Sequence, residues 1–257
     1  MEQPYVLRSD EGGVATLTLN RGERFNSLSE EMMAALQAVF KAIAQDDAVR
    51  VVVLAATGRA FCAGHDLKQM RATPEADYYK KLFQQCSKLM LQIQQLPQPV
   101  IARVQGLATA AGCQLVAMCD LAVAAEGARF AVSGVNVGLF CSTPAVALSR
   151  NVSRKQAMEM LLTGDFIDAQ TALQRGLVNR VVAADALDTE IAGLTASILA
   201  KPAVAIAMGK QLFYKQLEMG IDAAYQLAGQ TMACNMMDDS AQEGVQAFIE
   251  KRAPNWK

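Results

Sequence analysis

Residues 51–67, VVVLAATGRAFCAGHDL, and residues 100–115, VIARVQGLATAAGCQL, decide how this chain folds. Each stretch begins with a continuous apolar run, rich in β-branched residues, which is typical of a strand that is covered on both faces. Each then passes through small residues and enters a helix. Strands that alternate with helices in this way predict an α/β fold.

The same alternation extends outward along the chain. Val14–Leu19 predicts a strand after a Gly-Gly turn, and Ser29 is a suitable N-cap for a helix with an apolar face. Residues 121–126 and 177–182 predict further strands. From about Lys201 onward the pattern predicts helices only. We therefore expect a core over residues 1–200 and a helical C-terminal region over residues 201–257.

Composition limits the class of protein. The 257 residues are 52% hydrophobic, with 24 basic and 25 acidic residues and a net charge of -1. This balance gives no reason to expect a nucleic acid or a membrane as partner. Residues 1–5 show no feature of a secretory signal. The six cysteines lie mostly in apolar segments without a CxxC pair, which indicates buried free thiols and a cytoplasmic protein.

Two loops of similar design carry the candidate chemistry. The first loop is Phe61–Leu67 and the second loop is Gly106–Gln114. Small residues let a ligand approach the backbone, and the first turn of a helix has N–H groups without partners. Two such turns that face each other would form an oxyanion hole. Alternatively, both loops are tight packing turns. Neither the GxGxxG nor the GxxxxGK[ST] phosphate-binding spacing is present.

Several longer segments resemble the crotonase (enoyl-CoA hydratase/isomerase) superfamily, in the order found in that family and over nearly the whole chain. They are LNRGERFNSLS, GRAFCAGHDLKQM, QPVIARVQGLATAAGCQLVAMCDLAVAAEGARFAV, EMLLTGDFIDAQTALQRGLVNRVV and QEGVQAFIEKRAPNW. Within the superfamily, GVNVGLFCSTPAVALSR is similar to the enoyl-CoA hydratase domain-containing protein 3 group, which lacks the usual glutamates.

The resemblance implies a crotonase-like spiral of ββα units with a C-terminal helical trimerisation domain, assembled as a homotrimer or as a hexamer of two trimers. It implies an acyl-CoA or enoyl-CoA thioester as ligand. It implies no metal and no cofactor beyond the CoA moiety of the substrate.

The resemblance also implies roles for particular residues. The backbone N–H groups of His65 and Ala111 would hold the thioester oxygen. The CoA path would be lined by residues of the first loop and closed by residues of a neighbouring subunit's last helix. These CoA-binding positions are Ala63, His65, Asp66, Leu67, Phe248 and Lys251.

The chain departs from the family at both catalytic carboxylates. Gln114 stands at the first glutamate position and Gly134 at the second. Proton transfer by one positioned group contributes about 10²–10⁴-fold, so hydration should fall to a trace. Restoring both glutamates should then raise hydration, unless the backbone angle of Gly134 forbids a side chain. Three interpretations remain: an enzyme with an unassigned proton-transfer group, a catalytically weak acyl-CoA-binding or scaffold protein, and an unrelated α/β module.

Few side chains are candidates to replace the glutamates. His65 is the only histidine, and we expect its backbone rather than its imidazole to matter. Cys141 could act as a nucleophile only if its pKa were lowered, and a buried thiol is favoured. For Asp66 a structural role is favoured, and for Tyr78 and Tyr79 a packing role. A serine hydrolase is disfavoured because no GxSxG elbow exists.

Overall fold

The protein, described over residues 3–256 by a computed structural model, has a mixed α/β fold built on two sheets. Residues 1, 2 and 257, which fall within the predicted domain limits, lie outside the described residues. The strands are β1 Val6–Glu11, β2 Val14–Leu19, β3 Val51–Ala56, β4 Ala60–Cys62, β5 Val100–Val104, β6 Leu107–Thr109, β7 Leu121–Ala125, β8 Arg129–Ala131, β9 Ile167–Asp168 and β10 Arg180–Val182.

The helices lie between the strands and then fill the C-terminal region alone. They are α1 Glu30–Ile43, α2 Leu67–Ala72, α3 Ala76–Gln95, α4 Ala111–Met118, α5 Ser142–Leu148, α6 Arg154–Thr163, α7 Ala169–Gln174, α8 Leu187–Leu199, α9 Ala203–Gln216, α10 Ile221–Met236 and α11 Asp239–Ile249. Short 3₁₀ turns occur at Gly22–Arg24, Ser133–Val137 and Ala184–Ala186.

From β3 to β8, the strands alternate between the two sheets. The larger sheet has the order β1-β2-β3-β5-β7-β10 and the smaller one β4-β6-β8-β9. The outer pairs β1/β2 and β8/β9 are antiparallel, and the other pairs are parallel. Along the chain, β3, β5 and β7 are each followed by a short strand of the smaller sheet and then by a helix. This alternation confirms the expected fold of ββα units.

Strand β3 shows why the continuous apolar pattern was decisive. All six of its residues are buried. Val52 and Leu54 belong to the main core, whereas Val51 and Val53 pack in a second cluster with Leu187 and other residues of α8. Because both faces are covered, neither face tolerates a polar side chain.

The predicted start of α1 is also confirmed. The side chain of Ser29 accepts a hydrogen bond from the N–H of Met32 at 3.2 Å. Met33, Leu36 and Phe40 then bury the apolar face of the helix. Val39, which was expected on the same face, is half-buried.

The two loops differ from the sequence prediction in their secondary structure. Each contains a three-residue strand, β4 in the segment before Ala63 and β6 in the segment before Ala110. Helix α4 begins at Ala111, two residues earlier than predicted. Strands of three residues are too short to show an alternating pattern, so the sequence indicated a loop there.

The C-terminal helices are attached to the core through a buried lysine. Lys210 of α9 is 9% exposed, and its ammonium donates to Asp120 Oδ2 at 2.6 Å. It also donates to the carbonyls of Ile93 and Gln98 at 2.8 and 3.0 Å. Tyr214 donates to the other Asp120 oxygen at 2.8 Å. Burial lowers the pKa of Lys210, while Asp120 opposes that shift. The predicted domain division at residue 200 stays a prediction.

The expectation of buried free thiols is confirmed for five of the six cysteines. All six are free, and only Cys234 is exposed. Between residues 3 and 256, no single helix is long and apolar enough to cross a membrane. One pair of consecutive helical segments, 184–199 and 203–216, is long and apolar enough when taken together, but the two segments are bent by 102° relative to each other.

Candidate active site

The pairing of β4 with β6 brings the two loops together. The two short strands run parallel, with Ala60 opposite Leu107 and Cys62 opposite Ala108. Chain segments that leave the carboxyl ends of neighbouring parallel strands emerge at the same edge of the sheet. The first and second loops therefore lie side by side, as the sequence interpretation required.

Two glycines allow this close approach. Gly64 has φ +88°, and a methyl group added to it would lie 2.9 Å from Ala110 Cβ and 3.2 Å from Ala111 N. A methyl group on Gly112 would lie 2.0 Å from Cys62 O, inside van der Waals contact. The backbone of each loop thus touches the backbone of the other. Alanine at either position would force the loops apart.

The residue that leads into α4 is strained. Ala110 has φ 52° and ψ -121°, a region that residues with a Cβ rarely adopt. Such a conformation costs on the order of 1–3 kcal/mol and persists only where the surroundings enforce it. The N–H of Ala110 donates to Ala131 O at 2.9 Å, which ties this point to β8. Strain of this kind is concentrated at functional sites.

A cavity of about 300 Å³ opens beside the paired loops, and we call it the loop cavity. Its size is at the lower end of the range for small-molecule sites. It is lined by Ala63, His65, Leu67, Met70, Phe83, Ala110, Ala111, Ser133, Gly134, Val137, Leu139, Phe140, Cys141, Ser142, Thr143 and Pro144. Most of these side chains are apolar, and the hydroxyl groups belong to Ser133, Ser142 and Thr143.

The two predicted oxyanion-hole residues both line the loop cavity. Ala111 is the first residue of α4, so its N–H has no partner within the helix. Within the described part of the chain, the N–H of His65 makes no hydrogen bond to another backbone group. Two N–H groups are thus available at neighbouring positions of one cavity.

The imidazole of His65 is held as a neutral group. Burial lowers its pKa to about 4, because the surroundings disfavour the charged form. Its ring meets the Phe83 ring edge-on, with centroids 5.5 Å apart. Nε2 is buried and has no hydrogen-bond partner among the described residues. The expectation that the backbone of His65 matters more than its side chain stays a prediction.

The other predicted CoA-binding positions divide into three groups. Ala63 and Leu67 line the loop cavity beside His65. Asp66 does not line it; its carboxylate caps α2 by accepting from the N–H groups of Lys68 and Gln69 at 2.9 and 3.2 Å. This contact is the structural role that was favoured for Asp66.

Phe248 and Lys251 lie elsewhere on the protomer. Phe248 is 85% exposed on α11, and Lys251 is exposed just after that helix. Neither lines the loop cavity of its own chain. The proposed contact through a neighbouring subunit stays a prediction.

Gln114 and Gly134, the two substituted positions, sit in different surroundings. Gln114 is 5% exposed, and its Oε1 has no partner within residues 3–256. It does not line the loop cavity, whereas Gly134 does. A methyl group on Gly134 would lie 2.3 Å from Leu139 O and 2.7 Å from Cys141 Sγ. Any side chain at position 134 would therefore collide with the segment that enters α5.

The remaining side-chain candidates make hydrogen bonds within the protein. The N–H of Gly134 donates to Cys141 Sγ at 3.2 Å, and burial raises the pKa of that thiol, which argues against a nucleophile. Tyr78 donates to Glu30 at 3.2 Å and Tyr79 to the carbonyl of Met70 at 3.2 Å. Neither tyrosine lines the loop cavity.

The sequence analysis missed several residues that line the loop cavity. Phe83 is one of them, although it lies one helical turn after Tyr79 and stacks on its ring at 6.4 Å. The i, i+4 spacing from Tyr79 was the signal that could have identified it. Leu139 and Phe140 gave no such signal, because they lie between the 3₁₀ turn Ser133–Val137 and α5, outside any helix or strand.

Charged side chains are absent from the lining. Among residues 3–256, no Asp, Glu, Lys or Arg contributes to the loop cavity. The described residues also contain no group of three or more His, Cys, Asp or Glu side chains placed to hold a metal ion. The chemistry available here is that of backbone donors, hydroxyl groups and a neutral imidazole.

Comparison with known proteins places this chain in a family. The family model described as enoyl-CoA hydratase/isomerase matches residues 9–257. Rat enoyl-CoA hydratase domain-containing protein 3 is 46% identical over 95% of this chain and 81% of its own length.

Solved structures agree with this match. The crystal structure of a Mycobacterium smegmatis enoyl-CoA hydratase is 65% identical with a TM-score of 0.98, covering 99% of both chains. That of human enoyl-CoA hydratase domain-containing protein 3 is 44% identical with a TM-score of 0.95, covering 99% of this chain and 100% of the human one.

These names correct one prediction. The rat relative is named mitochondrial, as are the zebrafish, mouse, frog and human relatives, so the prediction of a cytoplasmic protein is wrong by this comparison. The prediction relied on the lack of a secretory signal and on reduced thiols. Neither feature distinguishes the cytosol from the interior of a mitochondrion.

The alternating ββα units, the paired glycine loops and the match over residues 9–257 agree with one another. They also rule out the third interpretation, an unrelated α/β module. The chain belongs to the enoyl-CoA hydratase/isomerase family.

Proposed function

We propose that this protein binds acyl-CoA or enoyl-CoA thioesters and stabilises a thioester enolate with the N–H groups of His65 and Ala111. The observation that carries the proposal is the contact between the two loops: Gly64 lies so close that a methyl group on it would be 3.2 Å from Ala111 N. Both donors line the same cavity, whose other lining side chains are mostly apolar. This closeness of the loops supports the proposal that one oxygen accepts from both N–H groups.

The chemistry of a thioester suits such donors. Negative charge develops on the thioester oxygen when an enolate forms, and each preorganised donor is worth roughly 3–4 kcal/mol in the transition state. Backbone donors depend little on side-chain identity, so alanine serves at position 111. The family supports a lyase-like enzyme of the hydratase/isomerase type.

The alternative is a catalytically weak acyl-CoA-binding or scaffold protein. The observation that favours it is the absence of any carboxylate from the described lining of the loop cavity. Both proposals share the binding step. Turnover of a thioester distinguishes them.

Butyryl-CoA, a saturated thioester, is expected to raise the melting temperature of the wild-type protein. A ligand that binds only the native state adds RT ln(1 + [L]/Kd), about 2.7 kcal/mol at a concentration of about 100 times Kd. Differential scanning fluorimetry with up to millimolar ligand measures the shift. No shift at millimolar butyryl-CoA would refute the proposal.

A matched pair of glycine variants tests whether the loops form the site. Gly64→Ala and Gly12→Ala both place a Cβ at a positive φ, but a Cβ at Gly12 meets nothing within 4 Å. Both variants should lose stability, and only Gly64→Ala should lose the butyryl-CoA shift. Equal ligand shifts in both variants would place the binding site elsewhere.

We also propose that the chain assembles as a homotrimer or hexamer. Helices α9–α11 expose large apolar side chains that a monomer would leave in water. They are Phe213, Leu217, Met219, Ile221, Tyr225, Met232, Met236, Val245, Phe248 and Ile249, each 36–85% exposed. Sedimentation velocity at micromolar concentration should give the mass of three or six chains. A monomer would contradict the proposal.

A further inference from the structure

The mouth of the loop cavity carries three apolar side chains that are in contact with water. Val137, Leu139 and Phe140 line the cavity, and each is 44–66% exposed. A side chain that lines a cavity and is also exposed borders its opening. We call these three residues the exit rim. They lie between the last residue of the 3₁₀ turn Ser133–Val137 and the start of α5, on a different part of the chain from the first loop.

The apolar surface continues beyond the exit rim onto the end of α6. A methyl group on Gly164 would lie 2.9 Å from Val135 Cγ1, and Asn136 Nδ2 donates to Gly164 O at 3.3 Å. The end of α6 therefore packs against the same 3₁₀ turn. Leu162 and Phe166, on either side of Gly164, are both exposed. Exposed apolar surface beside a cavity is typical of a ligand groove or of an interface.

The size of the loop cavity limits the acyl chain that it can enclose. Its volume is about 300 Å³. A water molecule takes about 30 Å³ of liquid volume and a methylene is of similar size, so the cavity encloses on the order of ten non-hydrogen atoms. The thioester group and the adjoining end of CoA take part of that space. Only a short acyl chain fits entirely inside, and a longer chain leaves through the mouth.

The surroundings of the mouth suit a hydrocarbon chain. Among residues 3–256, no Asp, Glu, Lys or Arg lines the loop cavity, so the chain meets no charged side chain on its way out. The exposed Ser142 at this wall turns its hydroxyl back to the carbonyl of Phe140 at 3.4 Å. The family resemblance assigns Ala63 and Leu67 of the first loop to the CoA path. The exit rim is then left for the acyl chain.

Resting on the proposed binding of acyl-CoA thioesters, we infer that the substrate class is long-chain acyl-CoA, with the chain leaving the loop cavity across the exit rim. The thioester lies at the paired loops, and the first carbons of the chain fill the loop cavity. The distal methylenes lie along Val137, Leu139 and Phe140 toward the end of α6. The exit rim determines specificity, because it contacts the part of the chain that a four-carbon acyl group lacks.

An affinity that rises with chain length is the first expected result. A fully buried methylene strengthens binding about fourfold, and a methylene on an open strip buries about half of its surface, which gives about twofold. Butyryl-CoA, octanoyl-CoA and lauroyl-CoA are titrated into the full chain by isothermal titration calorimetry at micromolar concentrations, below those at which they form micelles. Lauroyl-CoA should bind on the order of 100-fold more tightly than butyryl-CoA, with one ligand per chain.

A matched pair of valine variants tests the path of the chain. Val137 lines the loop cavity and is 66% exposed, whereas Val146 of α5 is 55% exposed and does not line it. Val137→Asp places a carboxylate on the exit rim, where a bound chain would displace its water. The ratio of lauroyl-CoA to butyryl-CoA affinity should therefore fall about tenfold. Val146→Asp should leave both affinities unchanged, and circular dichroism checks that both variants fold.

The outcomes distinguish the inference from the function on which it rests. If butyryl-CoA binds but affinity levels off or falls with longer chains, the inference is overturned and the proposed binding function stands. If no thioester of any length binds, both are overturned. An unchanged affinity ratio in Val137→Asp also overturns the inference. A lower mass of that variant in sedimentation velocity would then assign the exit rim to a contact between copies of this chain.

Discussion

Wild-type protein is expected to hydrate crotonyl-CoA at only a trace rate. Hydration needs one group to activate water and one to protonate the α carbon, and each contributes about 10²–10⁴-fold. Gln114 is an amide that does not line the loop cavity, and Gly134 has no side chain. The N–H donors stabilise charge but move no proton. The assay follows loss of the enoyl-thioester ultraviolet absorbance.

Restoring glutamates is not expected to rescue hydration, which revises the expectation from sequence. The φ of Gly134 lies outside the left-handed region, so its backbone angle is not the obstacle. The obstacle is space, because a Cβ there would lie 2.3 Å from Leu139 O. Gly134→Glu should cost about 1–3 kcal/mol of stability, as overpacking does. The double variant with Gln114→Glu should then be less stable and no faster.

Two measurements check the expectation that hydration is slow and is not rescued. Gln114→Glu alone serves as the control, because it changes an amide for a carboxyl of nearly the same size. Wild-type turnover on the order of 10 per second or more would show that another residue transfers the protons. His65→Ala would then be the first variant to make, since His65 is the only histidine of the chain.

Asp120→Ala is expected to be among the most destabilising single substitutions outside the site. It would leave the buried Lys210 ammonium without its counter-charge, which typically costs about 3–5 kcal/mol. The carboxylate also accepts from the N–H of Val100 at 2.6 Å and from the Tyr214 hydroxyl at 2.8 Å. Urea unfolding, followed by circular dichroism, measures the change in the free energy of unfolding.

An exposed ion pair provides the matched control. Asp188 pairs with Arg103, but its side chain is 79% exposed. Asp188→Ala should therefore cost less than about 1 kcal/mol. Lys210→Met combined with Asp120→Ala should recover much of the loss, because the uncompensated charge is then gone. Equal losses in Asp120→Ala and Asp188→Ala would show that the buried ion pair does not anchor the C-terminal helices.

The sequence predicted those elements whose signals are local. Strand β2 has the bounds that alternation indicated, and α1 begins after the Ser29 cap. Helix α6 ends at Gly164, which adopts φ 67° as a C-terminal glycine does. In contrast, β4 and β6 were interpreted as loop. Each of these strands has three residues. Strand β4 pairs with β6, and β6 also pairs with β8, and these contacts leave no pattern in the neighbouring sequence.

The candidate site divides in the same way. The sequence by itself determined the residue types, namely the glycines that permit close backbone contact, an amide at position 114, a glycine at position 134 and the small residues before α4. The tertiary structure alone decided that Gly64 meets Ala111, that Leu139 and Cys141 occupy the space beside Gly134, and that Phe83 covers His65. The physical reason is that helix capping and the periodicity of apolar side chains along one helix or strand depend on residues that are close together in the chain. Steric exclusion and desolvation instead depend on segments that lie far apart in the chain and meet only after folding.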